Sequence, residues 1–419
     1  MVAETGVTVF WFDSAVSRRR TSRDSVSISS TTRCSGKTSL AKANGDAPGV
    51  DGESFTGIES GGLEEWLNGL GKDLHDKTYQ PQPVRRKTIP KPGGGERGLG
   101  IPTIRDRVAQ TAAKLILEPI WEADLEPNAY GYRPGKSAQD AIQKVNELLR
   151  AGYTDIVDAD LSKYFDTIPH SELMQCVARR IVDRQMLSVT NGKRRLTGGK
   201  GNDRGTPQGG VISPALANLY INRMLKGFRQ TRRGEQFRAH IVNYADDFVI
   251  QSRGKAQEAL DRTRGVLERL GLTLNEKKTS IRDARQERFD FLGYTFGPHI
   301  NPRGGDRYIG YSPSQKSVSR IKQKVGEVLD RRNAATWEEV RQKLNRQLQG
   351  WRQYFNVGST SRAYRAVDEY VYDRVGNFLR RRHKVSSQGT RQFPGGTGVW
   401  DLGSGSTPRP MGRAYVSLR

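Results

Sequence analysis

The chain has 419 residues and a formal net charge of +24, because 69 lysines and arginines outnumber 45 acidic residues. A chain of this length can form more than one domain, and its positive charge favours a polyanionic partner, nucleic acid before anionic lipid. It has no run of about 18 apolar residues, so no membrane-spanning helix is predicted, and we expect a cytoplasmic protein. Its two cysteines and five histidines lack metal-ligand spacing, which excludes a disulfide framework or a thiolate zinc site.

The first part of the chain contains a segment without periodicity, followed by segments that predict ordered secondary structure. Residues 1–44 are rich in Ser, Thr and Arg without any periodicity, and they are predicted to be disordered or atypical. Order is expected to begin near "GDAPGVDG" (45–52), which precedes an amphipathic stretch. Two strand-like segments joined by a glycine-rich turn then predict a hairpin that carries Lys91 and Arg97, with a helix starting near Arg105.

The middle of the chain alternates between helical and extended patterns. Residues 136–152 have helical spacing and end at a glycine, and 154–168 are typical of a strand followed by a turn. A basic, glycine-rich loop at 191–214 leads into an apolar helix. Residues 239–252 predict a hairpin, and 256–272 predict a helix with a charged outer face.

After a further strand-like region at 278–296, the pattern becomes helical from about residue 312. Thr336 and Glu339 have the spacing of a capping box. The apolar residues that follow fall on one helix face: Trp337, Val340, Leu344, Leu348, Trp351 and Phe355. After residue 385, Gly, Ser and Pro predominate, so we expect a loosely ordered tail.

Basic residues are dense over the same helical region. A run of such residues is often a solvated helix face, but with the charge of the whole chain it favours a surface that faces RNA. The candidate RNA-binding residues are Arg331, Arg332, Arg341, Lys343, Arg346, Arg352, Arg380, Arg381 and Arg382.

The stretch "NYADDFVI" (243–250) places Asp246 and Asp247 between apolar segments. A buried ionised carboxylate is costly unless a cation or hydrogen bonds compensate it. The pattern therefore predicts a tight hairpin with both carboxylates at its tip. Such a tip is either an exposed turn, in which Asp is common, or a site for a cation.

A third carboxylate is available on another predicted strand. "DADLSKYFD" offers Asp158, Asp160 and Asp166, and strand alternation puts the first two on one face. Neighbouring strands lie about 4.8 Å apart, so carboxylates from both would converge on two Mg²⁺ ions about 3.5–4 Å apart. Such ions bind oxygen ligands and substrate phosphates, and they promote in-line displacement at phosphorus. Lys91 and Arg97 are candidates for the basic groups opposite the metals.

Eight blocks of the sequence, in their order along the chain, resemble those of reverse transcriptases encoded by group II introns. They are "GDAPGVDG", "PVRRKTIPKPGGGERGLGIPTIRDR", "YGYRPGKSAQDA", "DADLSKYFDTIPH", "TPQGGVISPALANLY", "NYADDFVI", "GLTLNEKKTSI" and "FLGYTF". The resemblance covers about residues 45–385. It implies an α+β right-hand polymerase, with fingers and an antiparallel palm at 45–310 and a helical thumb or maturase domain at 311–385. The basic segment 386–419 is the loosely ordered tail.

The resemblance also implies roles for single residues. Asp160 and Asp246 would be the main ligands of two Mg²⁺ ions, and Asp247 would complete the catalytic triad. The implied substrate contacts are Phe165 against the ribose 2′-position, Lys91 and Arg97 at the triphosphate, Gln208 in the nucleotide pocket, and Lys278 near the leaving pyrophosphate. A core aromatic for Phe165 and a solvated lysine for Lys278 remain open. "FLGY" (291–294) begins either a primer-holding element or an ordinary strand contact.

The implied activity is the copying of RNA into DNA together with assistance to splicing and mobility of the host intron. The implied partners are group II intron RNA, an RNA template with a DNA primer, deoxynucleotides and target DNA. No Cys or His cluster follows the helical region, so no HNH endonuclease is expected. Two departures from the family pattern are the first 40 residues and Gly98, which stands where proline is usual.

Two alternatives stay open from the sequence. One is another prokaryotic reverse transcriptase, of the retron or diversity-generating kind. The other is an RNA-binding splicing factor whose polymerase site is idle.

Overall fold

The computed structural model describes residues 47–90, 96–182, 203–301 and 304–384. The chain divides into two compact units: the first holds the residues up to Asp124 and Ile168–Leu219, and the second holds Leu125–Thr167 and the residues from Tyr220 onward. The helices are α1 (Phe55–His75), α2 (Ile104–Glu122), α3 (Ala138–Arg150), α4 (Tyr164–Thr167), α5 (His170–Ala178), α6 (Ser213–Gln230), α7 (Arg233–Gln236), α8 (Ala256–Arg269), α9 (Gln315–Val328), α10 (Trp337–Tyr354) and α11 (Ser361–Arg382). The strands are β1 (Arg85–Pro90), β2 (Glu96–Ile101), β3 (Asp155–Asp160), β4 (Ala239–Tyr244), β5 (Asp247–Ser252), β6 (Ser280–Asp283), β7 (Phe289–Phe291), β8 (Tyr294–Ile300) and β9 (Arg307–Pro313).

The first unit contains the predicted hairpin, in which β1 and β2 pair antiparallel, and the predicted helix α2 after it. Asp106, near the start of α2, is fully buried. Its carboxylate accepts hydrogen bonds from the Tyr79 hydroxyl at 2.6 Å, the Thr103 hydroxyl at 2.8 Å and the Gln82 N–H at 3.1 Å. These bonds offset part of the cost of burying the carboxylate and fasten the chain before β1 to the start of α2.

The second unit is built around a four-stranded antiparallel sheet in the order β4-β5-β3-β6, which we call the palm sheet. In β3, Val157 and Ala159 are buried while Asp158 and Asp160 keep partial exposure. The alternation predicted from the sequence is therefore confirmed. Helix α3 packs against β4, and α8 packs against β3 and β5. Apolar side chains are therefore buried between the palm sheet and these helices.

A three-stranded antiparallel sheet, β7-β8-β9, follows the palm sheet. Strand β9 was not predicted, and it crosses the expected domain boundary at 310. The turn of "FLGY" packs against the helices that follow: Gly293 O accepts the Ser314 N–H at 2.9 Å and the Ser317 hydroxyl at 2.8 Å. A Cβ atom on Gly293 would lie 3.0 Å from Ser317 Oγ and 3.2 Å from Phe355 Cζ. Packing contacts thus account for this glycine, and the primer-holding role stays a prediction.

Helices α9, α10 and α11 form the helical region, and α10 buries the predicted apolar face except for Trp337, which is half-buried. The predicted capping box is confirmed, since the Thr336 N–H donates to Glu339 Oε2 at 2.8 Å and the Glu339 N–H donates to Thr336 Oγ1 at 3.3 Å. Ile156 of the palm sheet, Phe296 of β8 and Leu344 of α10 belong to one apolar core. The helical region is therefore not a separately packed body.

No helix within the described ranges is long and apolar enough to cross a membrane. The cytoplasmic location expected from the sequence stays a prediction.

Candidate active site

The turn between β4 and β5 presents two of the predicted aspartates. Tyr244 pairs with Asp247 at the end of the hairpin, which leaves Ala245 and Asp246 as a two-residue turn. Tight hairpin turns of this length need positive φ, and Ala245 has a φ of 59°. A residue other than glycine in this conformation costs about 1–3 kcal/mol, so the turn depends on support from its neighbours.

Residues 128–131 give that support by running alongside β4. The Asn243 N–H donates to Asn128 O at 3.0 Å, and the Tyr130 N–H donates to Asn243 O at 2.9 Å. The buried Asn243 side chain donates from Nδ2 to Ala245 O at 2.9 Å. A Cβ atom on Gly131 would lie only 2.5 Å from Ala245 N. A larger residue at 131 would therefore displace the turn that carries Asp246.

The third aspartate is brought to the same place by the register of the palm sheet. Asp160, the last residue of β3, pairs directly with Asp247, the first residue of β5. Residues opposite each other in an antiparallel pair have Cα atoms about 4.5–5.5 Å apart. The Leu161 N–H also donates to Asp246 O at 3.3 Å, which ties the end of β3 to the turn. The structure thus gathers Asp160, Asp246 and Asp247, while their catalytic role stays a prediction.

The negative charges of Asp246 and Asp160 make the ionisation of Asp247 more costly. Desolvation, followed by the charges of Asp246 and Asp160, raises the pKa of Asp247 to about 7. Asp247 is exposed at the surface, so its desolvation is incomplete and the nearby negative charge contributes to the shift. A site of this kind favours a bound cation.

Lys278 contributes a cation from the chain itself. Its Nζ lies 2.7 Å from Asp160 Oδ2, and this hydrogen bond raises the pKa of the ammonium group. Asn275 holds the same strand end, since its backbone N–H donates to Asp160 O at 2.8 Å and its Nδ2 donates to Asp160 Oδ2 at 3.3 Å. Lys278 therefore contacts the acidic site through Asp160 while its side chain stays 65 % exposed, and its catalytic role stays a prediction.

The donor set fits Mg²⁺ in its chemistry, because it offers only carboxylate oxygens, which this ion prefers. The pKa of Asp247 is raised in part by the negative charges of its neighbours, and a divalent cation would offset those charges. Among the residues that the structure describes, no three acidic, His or Cys side chains already stand in coordinating positions. Asp160 Oδ2 is engaged by Lys278 and Asn275, so a metal ion would bind at the remaining acceptor positions of this carboxylate.

Phe165 lies in the short helix α4 and is 6 % exposed, with its ring in edge contact with Tyr164 at 5.7 Å. This burial is what a core aromatic would show. A contact with the 2′-position of a nucleotide remains a prediction that requires part of the ring to be reached from the site.

The other predicted substrate residues lie in the first unit or outside the described ranges. Lys91 lies outside them, and for Arg97 only the backbone is described, in β2 opposite Ile89. Gln208 O accepts the Gly100 N–H at 2.7 Å, which attaches "PQGG" to β2. The next residue, Gly209, has a φ of 110°, and a Cβ atom there would lie 2.8 Å from Gly100 O. Packing on the hairpin thus explains this glycine, and the nucleotide contacts stay predictions.

The nine candidate RNA-binding residues all lie at the surface of the helical region, exposed or half-buried. Arg341 is paired with Glu338 at 2.7 Å, and Arg382 donates to Ala335 O at 2.7 Å. Surface positions suit both RNA contact and a solvated helix face, so RNA binding at these residues stays a prediction.

Sequence reasoning assigned no role to Gly131, Asn243 or Asn275, although each lies in a block that carries the family resemblance. The available signal was the glycine in "YGYRP" and the asparagines directly before "YADD" and in "LNEKK". What each contacts depends on long-range pairing, which the local pattern does not contain.

Two family matches cover most of the described chain. Residues 89–296 match the family "Reverse transcriptase (RNA-dependent DNA polymerase)", and residues 318–393 match "Group II intron, maturase-specific domain". The first match contains all three aspartates, and the second begins within α9. Among solved structures, the chain is similar to telomerase from Candida albicans, with a TM-score of 0.42 and 14% identity over 75% of this chain and 64% of that one. That likeness is too distant to support a conclusion.

Curated relatives give a stronger comparison. Protein YkfC of Escherichia coli is 36% identical over 318 residues, which are 66% of this chain and 83% of YkfC. Group II intron-encoded protein LtrA of Lactococcus lactis is 36% identical over 170 residues, 39% of this chain but only 28% of LtrA. With both family matches in the expected order, the chain belongs to the group II intron reverse transcriptase and maturase family.

Proposed function

We propose that this chain copies RNA into DNA at the β4–β5 turn, where Asp160, Asp246 and Asp247 hold two Mg²⁺ ions. The observation that carries the proposal is the register that sets Asp160 opposite Asp247, with Asp246 in the turn between β4 and β5. The reverse transcriptase match over residues 89–296 supports the same reaction class.

When bound, the metal ions would lower the pKa of the primer 3′-hydroxyl and stabilise charge on the leaving pyrophosphate. The chain's own part is to hold the three carboxylates at one end of the palm sheet and to keep Lys278 protonated beside them. The hydrogen bond to Asp160 raises the pKa of Lys278 and keeps it protonated. Release from Asp160 would lower that pKa again, and the ammonium group would then donate a proton to the pyrophosphate oxygen.

Four residues would select the substrate. Phe165 would exclude a 2′-hydroxyl, Gln208 would line the nucleotide pocket, and Lys91 and Arg97 would contact the triphosphate. Arginine and lysine suit this task, because their N–H groups form charge-assisted hydrogen bonds to phosphate oxygens. The substrates would be deoxynucleotides on an RNA template with a DNA primer.

The helical region would bind the RNA of the chain's own intron, assist its splicing, and help to insert it into target DNA. The maturase-specific match at 318–393 supports this assignment and disfavours a retron or diversity-generating enzyme. Recognition of folded RNA depends on shape, phosphates and 2′-hydroxyls, which suits dispersed surface residues such as Lys343 and Arg346.

The deciding experiment measures incorporation of labelled deoxynucleotides on an annealed RNA template and DNA primer with Mg²⁺, for the wild type and Asp246→Ala. We expect extension by the wild type and none by the variant, with intron RNA bound equally by both. A wild type that binds intron RNA but extends no primer would show instead a splicing factor with an idle polymerase site.

A further inference from the structure

A cleft of about 770 Å³ lies in the second unit, between the turn after β6 and the strands β8 and β9. It is at the end of the palm sheet away from the aspartates, because β6 ends at Asp283 opposite Asp155, whereas Asp160 ends β3 at the other side. Five strand residues separate the two positions, which is roughly 17 Å. Its charged and polar lining includes Arg282, Arg285, Glu287, Arg288, His299 and Arg307.

Two of these arginines are held in place by uncharged acceptors. Arg288 donates from Nε and Nη2 to Pro298 O at 3.3 and 3.1 Å. Arg282 donates from Nη1 to Arg288 O at 2.6 Å and from Nε to the Ser280 hydroxyl at 3.1 Å. Carbonyl and hydroxyl oxygens orient a guanidinium without neutralising it, and each guanidinium has five N–H donors. Both side chains therefore keep positive charge and unused donors in fixed positions.

Acidic residues offset only part of this charge. Arg285 pairs with Asp283 at 2.9 Å, and Glu287 is the carboxylate in the lining itself. Asp155 and Asp158, on the neighbouring strand, act on Arg285 and Arg282 from a longer range. The four arginines still outnumber the two carboxylates at the cleft, and Arg307 at the start of β9 is exposed.

Flat and apolar surface adjoins the charge. Ile300, in the lining, is 65 % exposed. Tyr308, which pairs with the lining residue His299 across β8 and β9, is 43 % exposed, and its ring lies 5.8 Å from the His299 ring. Exposed aromatic rings next to basic groups are the features on which unpaired bases stack while phosphates are bound. An anionic lipid surface would use the charge but has no need of a ring.

We propose that this cleft binds the phosphates of an unpaired stretch of RNA, as a contact separate from the polymerase site. Guanidinium groups with fixed orientation match phosphate oxygens, often two at a time. The contact would hold RNA at the far end of the palm sheet from the aspartates, so it does not depend on deoxynucleotide transfer. It goes beyond the proposed function, which assigns RNA binding to the template site and the helical region.

The test compares two double variants of the full chain. Arg288→Ala with Arg307→Ala removes two cleft charges, and Arg262→Ala with Arg269→Ala removes the same charge from α8. Binding of an unstructured uridine-rich RNA is measured over a series of salt concentrations. Each phosphate contact to a single strand contributes about 0.7 to the slope of log K against log salt. The cleft variant should lose about 1.4 from that slope and about tenfold or more in affinity, and the α8 variant much less.

Three controls keep the outcome clear. Arg288→Lys with Arg307→Lys retains the charge and should recover most of the salt slope, which excludes misfolding as the cause. Primer extension at saturating template should be unchanged in the cleft variant, so a failure of polymerisation would be seen separately. Ultraviolet crosslinking of the RNA should map to the peptide that contains Tyr308.

Equal affinity and slope for the two double variants would overturn the proposal. So would a loss confined to vesicles containing phosphatidylserine, which would assign the cleft to a membrane surface. A parallel loss of primer extension at saturating template would mean that the cleft belongs to the polymerase path.

Discussion

The turn that carries the aspartates and the helical region are stabilised in opposite ways. The turn holds a positive-φ alanine, Ala245, and one carboxylate beside two more, and it keeps its shape through a close approach of Gly131. The helical region has a side-chain-capped helix, α10, and an apolar core in which Leu344 is fully buried. The comparison indicates that changes at the turn should alter chemistry with little loss of stability. Changes in the helical core should do the reverse.

The largest expected effect is at the acidic end of β3. Asp160→Asn keeps the shape of the side chain but removes a proposed metal ligand, so primer extension should fall by at least about 10³-fold. Asp158→Asn is the matched control, because it lies two residues earlier on the same face of the same strand. It should retain activity within about threefold of the wild type, since a surrounding charge contributes far less than a ligand. Equal losses in both variants would contradict the assignment of Asp160.

Leu344→Ala tests how much the apolar core stabilises the helical region. The side chain is 0 % exposed in the apolar core, so its truncation should lower the free energy of unfolding by about 2–5 kcal/mol. Lys343→Ala changes the exposed neighbour and should alter stability by less than about 0.5 kcal/mol. Denaturant unfolding measures both. If Lys343→Ala weakens intron RNA binding and leaves stability intact, Lys343 contributes to RNA recognition, whereas the adjacent Leu344 contributes to packing.

Gly131→Ala tests whether the close approach beside Ala245 controls the chemistry. The added Cβ would meet Ala245 N at 2.5 Å, and a shift of about 1 Å at a catalytic group can cost about 10²-fold in rate. We expect kcat for primer extension to fall by about 10- to 100-fold while the protein stays folded. Gly376→Ala in α11, where a Cβ meets nothing within 4 Å, should keep full activity and gain about 0.5–1 kcal/mol in stability.

These contrasts also explain what sequence alone could predict. The β4–β5 hairpin, α10 and its capping box follow from residues within one or two turns of each other, so local patterns were sufficient. The contact between Gly131 and Ala245 joins positions more than a hundred residues apart, and no local pattern contains it. Strand β9 was missed because its pairing with β8 depends on a partner across a loop. The buried state of Phe165 likewise depends on tertiary packing.

The carboxyl group of Asp158 should make the free energy of unfolding depend on pH, independently of any effect on activity. Burial, opposed by Arg282 and reinforced by Asp290 and Asp160, raises its pKa from 3.8 to about 6. The folded state therefore favours the protonated form. This contribution is fully present below about pH 4 and is lost as the pH rises through about 6. Relative to Asp158→Asn, the wild type should lose about 1–3 kcal/mol across this window. A constant difference between the two proteins from pH 4 to pH 7 would contradict the burial of this carboxyl.

The smallest expected effect is at the start of α10, where stability rests on a local device. Thr336 Oγ1 accepts the Glu339 N–H at 3.3 Å, which satisfies one of the free N–H groups at the helix start. Thr336→Ala should lower the free energy of unfolding by about 1 kcal/mol, and Thr336→Ser, which keeps the hydroxyl, should lower it much less. Primer extension should be unchanged in both, because the cap touches neither the turn nor the aspartates. If primer extension fell by more than the loss of folded protein explains, the helical region would be coupled to the chemistry of the palm sheet. The most direct route for that coupling is the apolar core that the two regions share.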